Sequence, residues 1–140
     1  YNADSEWEAV TPLRKHEGAK IAILALGATG GIAQNAAEQL DGSADVYVVN
    51  GLPLPDGFLD GIFAQYNGVV TVEDGIIGTR ATGVRGFAGL VLSAASCTGA
   101  KTEHVGIVDP RIAPSEGHEE VWEHFGLTSG AIADAAKSLA

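Results

Sequence analysis

The chain has 140 residues and a mass of 14.3 kDa, the length of one ordinary domain with room for a hydrophobic core. With 46% hydrophobic and 19% charged residues, it belongs with globular and not with disordered chains. Eight Lys+Arg against eighteen Asp+Glu leave a net charge of −10, which argues against nucleic acid or an anionic membrane as the main partner, because both need a positive footprint.

No apolar stretch approaches the roughly 18 residues of a membrane span. The single cysteine, Cys97, excludes an internal disulfide, fits a reducing compartment and is expected as a small buried thiol. The chain opens at Tyr1, lacks methionine throughout and shows no basic-then-apolar leader. It is therefore expected to be a piece of a longer protein, or a processed chain.

Residues 1–18 are polar and charged, with Pro12 inside them, and read as an arm leading into a domain at 19–140. The apolar run 21–26 suits a strand buried on both faces. Residues 32–40 carry helical spacing through Ile32, Ala33, Ala36, Ala37 and Leu40, with Gly42 as the stop. Residues 46–49 form a second β-branched run, and Asp56 is placed to cap a helix bearing Phe58, Leu59, Ile62 and Phe63. A third buried strand, 68–72, ends in Glu73-Asp74-Gly75. A glycine-rich loop leads from it to a helix over 84–95 that is apolar nearly all round. Residues 101–108 read as a fourth strand, and 117–125 and 129–139 as two shorter helices. Strands alternating with helices across short loops define an α/β fold: a three-layer sandwich with a mainly parallel sheet and helices on both faces. Sites in such sheets form beyond the carboxyl ends of the strands, here 27–31, 50–55, 73–80 and 109–115.

The segment Gly27-Ala28-Thr29-Gly30-Gly31-Ile32-Ala33 sits where a dinucleotide fingerprint belongs. Its spacing is Gly-x-x-Gly-x-x-Ala, and the second strand ends at Asn50 without the acid that holds a ribose. A tight strand-to-helix turn explains the same glycines. His118 and His124 are six apart, Glu120 and His124 form an i,i+4 pair, and no His-Glu-x-x-His order is present. His16 and His104 show no partner in the sequence, so a metal site is not expected. Ser93, Ser96 and Cys97 lie on the apolar helix without a nucleophile elbow, and no catalytic residue is assigned. Glu73 and Asp74 end a buried strand, where they either work as carboxylates or accept the N–H groups of the following loop. Arg80 and Arg85 flank that loop and suit a phosphate or an acid across an interface. For Glu73, Asp74, Arg80 and Arg85, loop packing or an interface, interdomain contact included, is therefore placed ahead of catalysis.

The order of these segments resembles the C-terminal domain of the transketolase-like thiamine diphosphate enzymes. The resemblance runs through Lys20-Ile-Ala-Ile-Leu-Ala-Leu-Gly27, Ala36-Ala37-Glu38, Asp45-Val-Tyr-Val-Val, Leu54-Pro55-Asp56 and Gly68-Val-Val-Thr-Val-Glu-Asp-Gly75. The tail, Gly106-Ile-Val-Asp109, Ile112, Glu119-Glu120 and Phe125-Gly-Leu-Thr-Ser-Gly-Ala-Ile132, is similar to that of the 1-deoxy-D-xylulose-5-phosphate synthase branch. Ser5-Glu-Trp-Glu8 is similar to the linker that enters this domain. The likeness spans about residues 5–139. It departs where the family's Arg-Phe-x-x-Pro-Leu-Asp is replaced by Val49-Asn-Gly-Leu-Pro-Leu-Pro-Asp56, and where Gly78-Thr-Arg-Ala-Thr-Gly83 stands for a Gly-Gly-x-Gly-Ser run.

The resemblance implies a cytoplasmic enzyme, a homodimer when complete, using thiamine diphosphate and Mg2+ held by preceding catalytic domains. That enzyme would join pyruvate to glyceraldehyde 3-phosphate, releasing CO2 and giving 1-deoxyxylulose 5-phosphate for isoprenoid and thiamine biosynthesis. The Gly-Asp-Gly…Asn-Asn metal motif of those domains does not occur in this chain, so the piece is expected to bind no cofactor and to be inactive alone. The alternatives are a stand-alone dinucleotide-binding domain, the same domain of a transketolase or a 2-oxoacid dehydrogenase subunit, and a regulatory or assembly protein of this fold.

Overall fold

The computed structural model describes residues 9–78, 83–107, 122 and 126–139. In chain order these form β1 (Val10–Arg14), β2 (Ile21–Leu26), α1 (Gly30–Glu38), β3 (Ala44–Val49), α2 (Phe58–Gln65), β4 (Gly68–Ile76), α3 (Gly86–Ala95), β5 (Lys101–Ile107) and α4 (Ser129–Ser138). The strands make one sheet in the order β1-β3-β2-β4-β5, with β1 antiparallel and all other pairings parallel.

The period-2 geometry of β2 explains why its run is uniformly apolar. Ile21, Ile23 and Ala25 enter a core shared with α1 and α4, whereas Ala22, Leu24 and Leu26 enter a second core shared with α2 and α3. The same alternation divides β4, whose Val70 and Val72 join the first core and Val69 the second. The layering follows from chain direction. The β2-to-β3 connection moves one way across the sheet and the later connections move back, so right-handed crossovers put α1 on one face and α2 and α3 on the other. Small side chains let α1 lie close to the sheet: Ala33, Ala36 and Ala37 are its buried face.

The three-layer architecture expected from the sequence is present, and four local expectations are corrected. Residues 10–14, read as part of an arm, are an edge strand, with Pro12 opposite Tyr47. Proline is tolerated there because an edge strand can leave one N–H position unpaired. Asp56 does not cap α2. Gly57, at φ 78°, is the N-cap, and no side chain bonds the helix start. Cys97 is exposed, because α3 stops at Ala95 and the thiol falls in the following turn. His104 has hydroxyl partners, and His16 bonds Asp45 through its backbone N–H while its Nδ1 makes no hydrogen bond with the described residues. The helix expected over 117–125, the strand-end loop 109–115, Arg80, His118 and His124 lie outside the described residues, apart from Trp122.

Candidate functional site

In an open parallel sheet the place to look is the crevice at the carboxyl edge, between neighbouring strands whose connections depart in opposite directions. Here those strands are β2 and β4. The crevice is filled from within. After β2 the chain makes a short 3-10 turn, Gly27–Thr29, with Gly27 at φ 57°. Thr29 is fully buried, and its hydroxyl donates a shared hydrogen bond to the carbonyls of Leu26 (2.9 Å), the last residue of β2, and Val72 (3.2 Å), where β4 stops pairing with β2. Gly30 begins α1 against β3, where an added Cβ would stand 2.6 Å from Val48 Cγ2. The glycine pattern thus serves a tight turn and close helix–strand packing. At the end of β3, Asn50 donates from its side chain to Thr11 Oγ1 at 2.9 Å and from its backbone to Ala9 at 2.7 Å, so it ties down β1. A dinucleotide reading is not favoured by this geometry.

Beside this plug lies Glu73. Between Val72 and Ile76 the β4 register shifts relative to β5, a bulge that re-aims side chains near a strand end. Opposite it, Gly106 has room for no side chain, since a Cβ there would stand 2.8 Å from Ile77 Cγ2. Glu73 is only 3% exposed. Its Oε2 accepts the N–H of Phe87 at 3.2 Å, and its Oε1 accepts the N–H of Ala88 at 2.8 Å. Those are the second and third residues of α3, whose own N-cap, Arg85, makes no side-chain cap. A carboxylate from a neighbouring strand thereby supplies the acceptor that an Asp or Ser N-cap normally provides, with its charge at the positive end of the helix. The approach is close enough to require glycine at position 86: φ is 67°, and a Cβ would lie 2.8 Å from Glu73 Oε2. Of the two roles open to Glu73 from the sequence, the structure assigns acceptance of backbone N–H groups. Each carboxylate oxygen accepts one of these N–H groups.

Asp74 and Arg85, the other described members of the assigned set, are exposed on the same edge. The half-exposed Leu52 belongs to it too, in the loop after β3. The surface therefore offers an acid, a base and an apolar side chain around an internal clamp. Leu90, on the outer side of α3, is 43% exposed.

Sequence reasoning missed a second polar cluster, at the opposite edge. Asp45 on β3 is buried, and its Oδ1 accepts the backbone N–H of His16 at 2.6 Å while the imidazole Nδ1 lies 3.8 Å away. Its Oδ2 accepts the Tyr66 hydroxyl at 2.5 Å, and that oxygen in turn pairs with Tyr47 OH at 2.7 Å. Burial, reinforced by the Asp45 hydrogen bond, pushes the Tyr66 phenol well above its ordinary range. An aspartate inside a β-branched run was the available signal, since a charge there must find a partner. His104 Nδ1 lies 2.6 Å from the fully buried Thr71 hydroxyl, and Nε2 lies 3.2 Å from that of Thr102. This triad spans β4 and β5 and holds them together. Among the described residues no three His, Cys, Asp or Glu side chains are grouped to hold a metal ion, and no helix is long and apolar enough to cross a membrane.

No family model matches the chain, and no curated protein matches it in sequence. Solved structures do match its fold. A split-gene transketolase in the form of an inactive β4 tetramer superposes with a TM-score of 0.81 at 23% identity, over 99% of this chain and 45% of that one. Transketolase from Leishmania mexicana matches at TM-score 0.61 and 17% identity, over 94% of this chain and 18% of the other. Transketolase from Campylobacter jejuni subsp. jejuni matches at 0.62 and 15%, over 93% and 18%. The chain thus has a transketolase-like α/β domain fold. It spans less than half the length of each of these proteins.

Proposed function

We propose that the chain is the C-terminal structural and interface domain of a thiamine-diphosphate-dependent transferase, of the 1-deoxy-D-xylulose-5-phosphate synthase branch, acting in the cytoplasm. The observation that carries this reading is the fold likeness to transketolases over nearly the whole chain. The synthase branch rests on the tail sequence from Gly106 to Ile132. The direction of β1 adds to it. Val10 pairs with Val49, so the chain enters the sheet at the carboxyl edge, the edge that also carries the exposed Asp74, Arg85 and Leu52. In this proposal a preceding catalytic domain packs on that edge, Asp74, Arg80 and Arg85 make the contact, and Glu73 caps the start of α3. The complete enzyme is a homodimer.

In this reading thiamine diphosphate and its metal are held by other domains, in keeping with a Glu73 carboxylate that accepts from α3 and a Thr29 that fills the crevice between β2 and β4. The proposal therefore routes no chemical step through this chain. Cofactor and Mg2+ belong to the other domains, where pyruvate and glyceraldehyde 3-phosphate would yield 1-deoxyxylulose 5-phosphate and CO2.

The test is to read the source gene upstream of the Tyr1 codon and assay the complete protein for CO2 release from pyruvate. An in-frame Gly-Asp-Gly with a later Asn-Asn, and turnover requiring both glyceraldehyde 3-phosphate and thiamine diphosphate, supports the proposal. Turnover with a sugar-phosphate donor in place of pyruvate moves the chain to the transketolase branch. A stop codon just upstream, with no thiamine-enzyme gene beside it, overturns the reading. A second reading has a specific support: the neighbour at TM-score 0.81 is a split-gene protein. On that reading the catalytic domains come on a separate polypeptide, and mixing the two chains restores activity.

A further inference from the structure

We infer that a cavity at the amino edge of the sheet, opposite the Glu73 clamp, is a binding site for a small organic anion with an apolar body. The cavity has a volume of about 480 Å3, within the usual range for small-molecule sites. Its floor is the lower end of the first core: Ile21 where β2 begins, Leu40 just past α1 and Leu139 just past α4. These side chains are buried by the fold yet form a wall of the cavity, so they favour hydrocarbon over water there.

The rim has the opposite character. Lys20 and Lys137 line the same cavity, both exposed, and neither has an ion pair among the described residues. Four lysines occur in the chain of net charge −10, and this cavity takes two of them. Lys137 lies in the last turn of α4 and offsets its negative end. Lys20 belongs to no helix. Lys20 and Lys137 are the charged side chains that line the cavity, and no Asp or Glu is among its described lining residues.

Asn67 and Ser43 complete the lining. The backbone N–H of Asn67 is spent on Lys20 O at 2.8 Å, while its exposed side-chain amide makes no hydrogen bond with the described residues. The Ser43 hydroxyl donates to Leu40 O at 2.7 Å. A carboxylate seated between the two ammonium groups gains charge-assisted bonds and the Asn67 amide, and its hydrocarbon part covers Ile21 and Leu139. A bare inorganic anion gains nothing from the apolar floor. An uncharged alkyl chain gains nothing from the rim.

The experiment is titration of the 140-residue chain with hexanoate, hexanol and inorganic phosphate, read by amide chemical shifts at low and moderate salt. Hexanoate is expected to bind saturably, with shifts centred on Lys20, Ser43, Asn67 and Lys137. Hexanol and phosphate bind at least about tenfold more weakly, and added salt weakens hexanoate. Lys20→Gln and Lys137→Gln each weaken hexanoate about fivefold, and the double variant more than about tenfold. Both lysines are exposed, and unchanged circular dichroism of the variants verifies the fold. Equal binding of hexanol or phosphate, shifts centred elsewhere, no saturation by about 10 mM, or a double variant that binds like the parent each overturns the inference. The comparison of the three probes on the unaltered chain decides it without any variant.

Discussion

Replacing Glu73 with alanine tests whether this carboxylate is a clamp. The substitution removes the acceptors of two N–H groups, on Phe87 and Ala88, residues that are 2% and 0% exposed. Loss of a helix cap costs about 0.5–2 kcal/mol, and a buried donor left unsatisfied costs about 1–3 kcal/mol. These effects overlap, since the cap is made of those same bonds, so the expected loss is about 2–4 kcal/mol. For a chain of this length that lowers the melting temperature by roughly 6–12 °C. Glu73→Gln keeps one carbonyl acceptor but turns an NH2 toward the second N–H, and should lose about half as much. Urea unfolding of the 140-residue chain, followed by circular dichroism, gives both values directly. A loss below about 0.5 kcal/mol for alanine, the level of an ordinary surface change, would refute the clamp. So would a complete enzyme carrying Glu73→Ala that melts normally and has lost turnover, because that pattern belongs to a reacting group.

Gly30→Ala drives a methyl into Val48 and is expected to cost about 1–3 kcal/mol; the cost should fall in a Val48→Ala background, as a double-mutant cycle in urea will read. Tyr66→Phe removes the donor to the buried Asp45 carboxylate and should cost about 1.5–3 kcal/mol. The Tyr66 phenol is raised in the folded state. Its contribution is therefore fully present below the ordinary tyrosine value near 10 and is lost as pH rises above it, because the unfolded chain releases the proton first. The urea midpoint should thus fall above about pH 10, and less steeply in Tyr66→Phe. Native Cys97 should react with a disulfide reagent within about tenfold of its rate in the unfolded chain, and protection beyond that would contradict its exposed position. Asp74→Lys and Arg85→Glu should shift the stability of the isolated chain by less than about 0.5 kcal/mol. In the complete enzyme the same changes should make the domain more susceptible to limited proteolysis, if the proposed interface forms there.

The parts of the fold legible in the sequence were those where one period dominates. The run 21–26 is apolar on both faces because both faces are covered, and the small-residue face of α1 follows directly from Ala33, Ala36 and Ala37. The edge strand β1 was hidden because Val10–Arg14 carries Pro12 and a half-exposed pattern, which is how an edge differs from a central strand. Asp56 was a reasonable cap by residue type, but Gly57 in the left-handed region starts the helix instead, a backbone choice that composition does not reveal. For Glu73 the strand was readable, although β4 runs on to Ile76 and not to residue 72, and the sequence left two roles open. What decided between them was a contact with residues 14 and 15 positions later, across a loop whose path no local pattern encodes. Asp45 itself was a readable signal, but its partner was hidden for the same reason, since Tyr66 reaches it from 21 positions away.

The antiparallel entry of β1 also has a mechanical meaning. The residue before it, Ala9, sits at the carboxyl edge, bonded to Asn50, whereas Leu139, just past the end of α4, lies at the amino edge. A pull applied between these two points runs along the strand axis. The β1–β3 ladder, from Val10↔Val49 to Arg14↔Val46, then bears load in shear, with its bonds strained together and not opened one after another. Under force the domain should resist as a unit up to a high rupture threshold and then fail abruptly at that ladder, with a lifetime set by its unfolding rate.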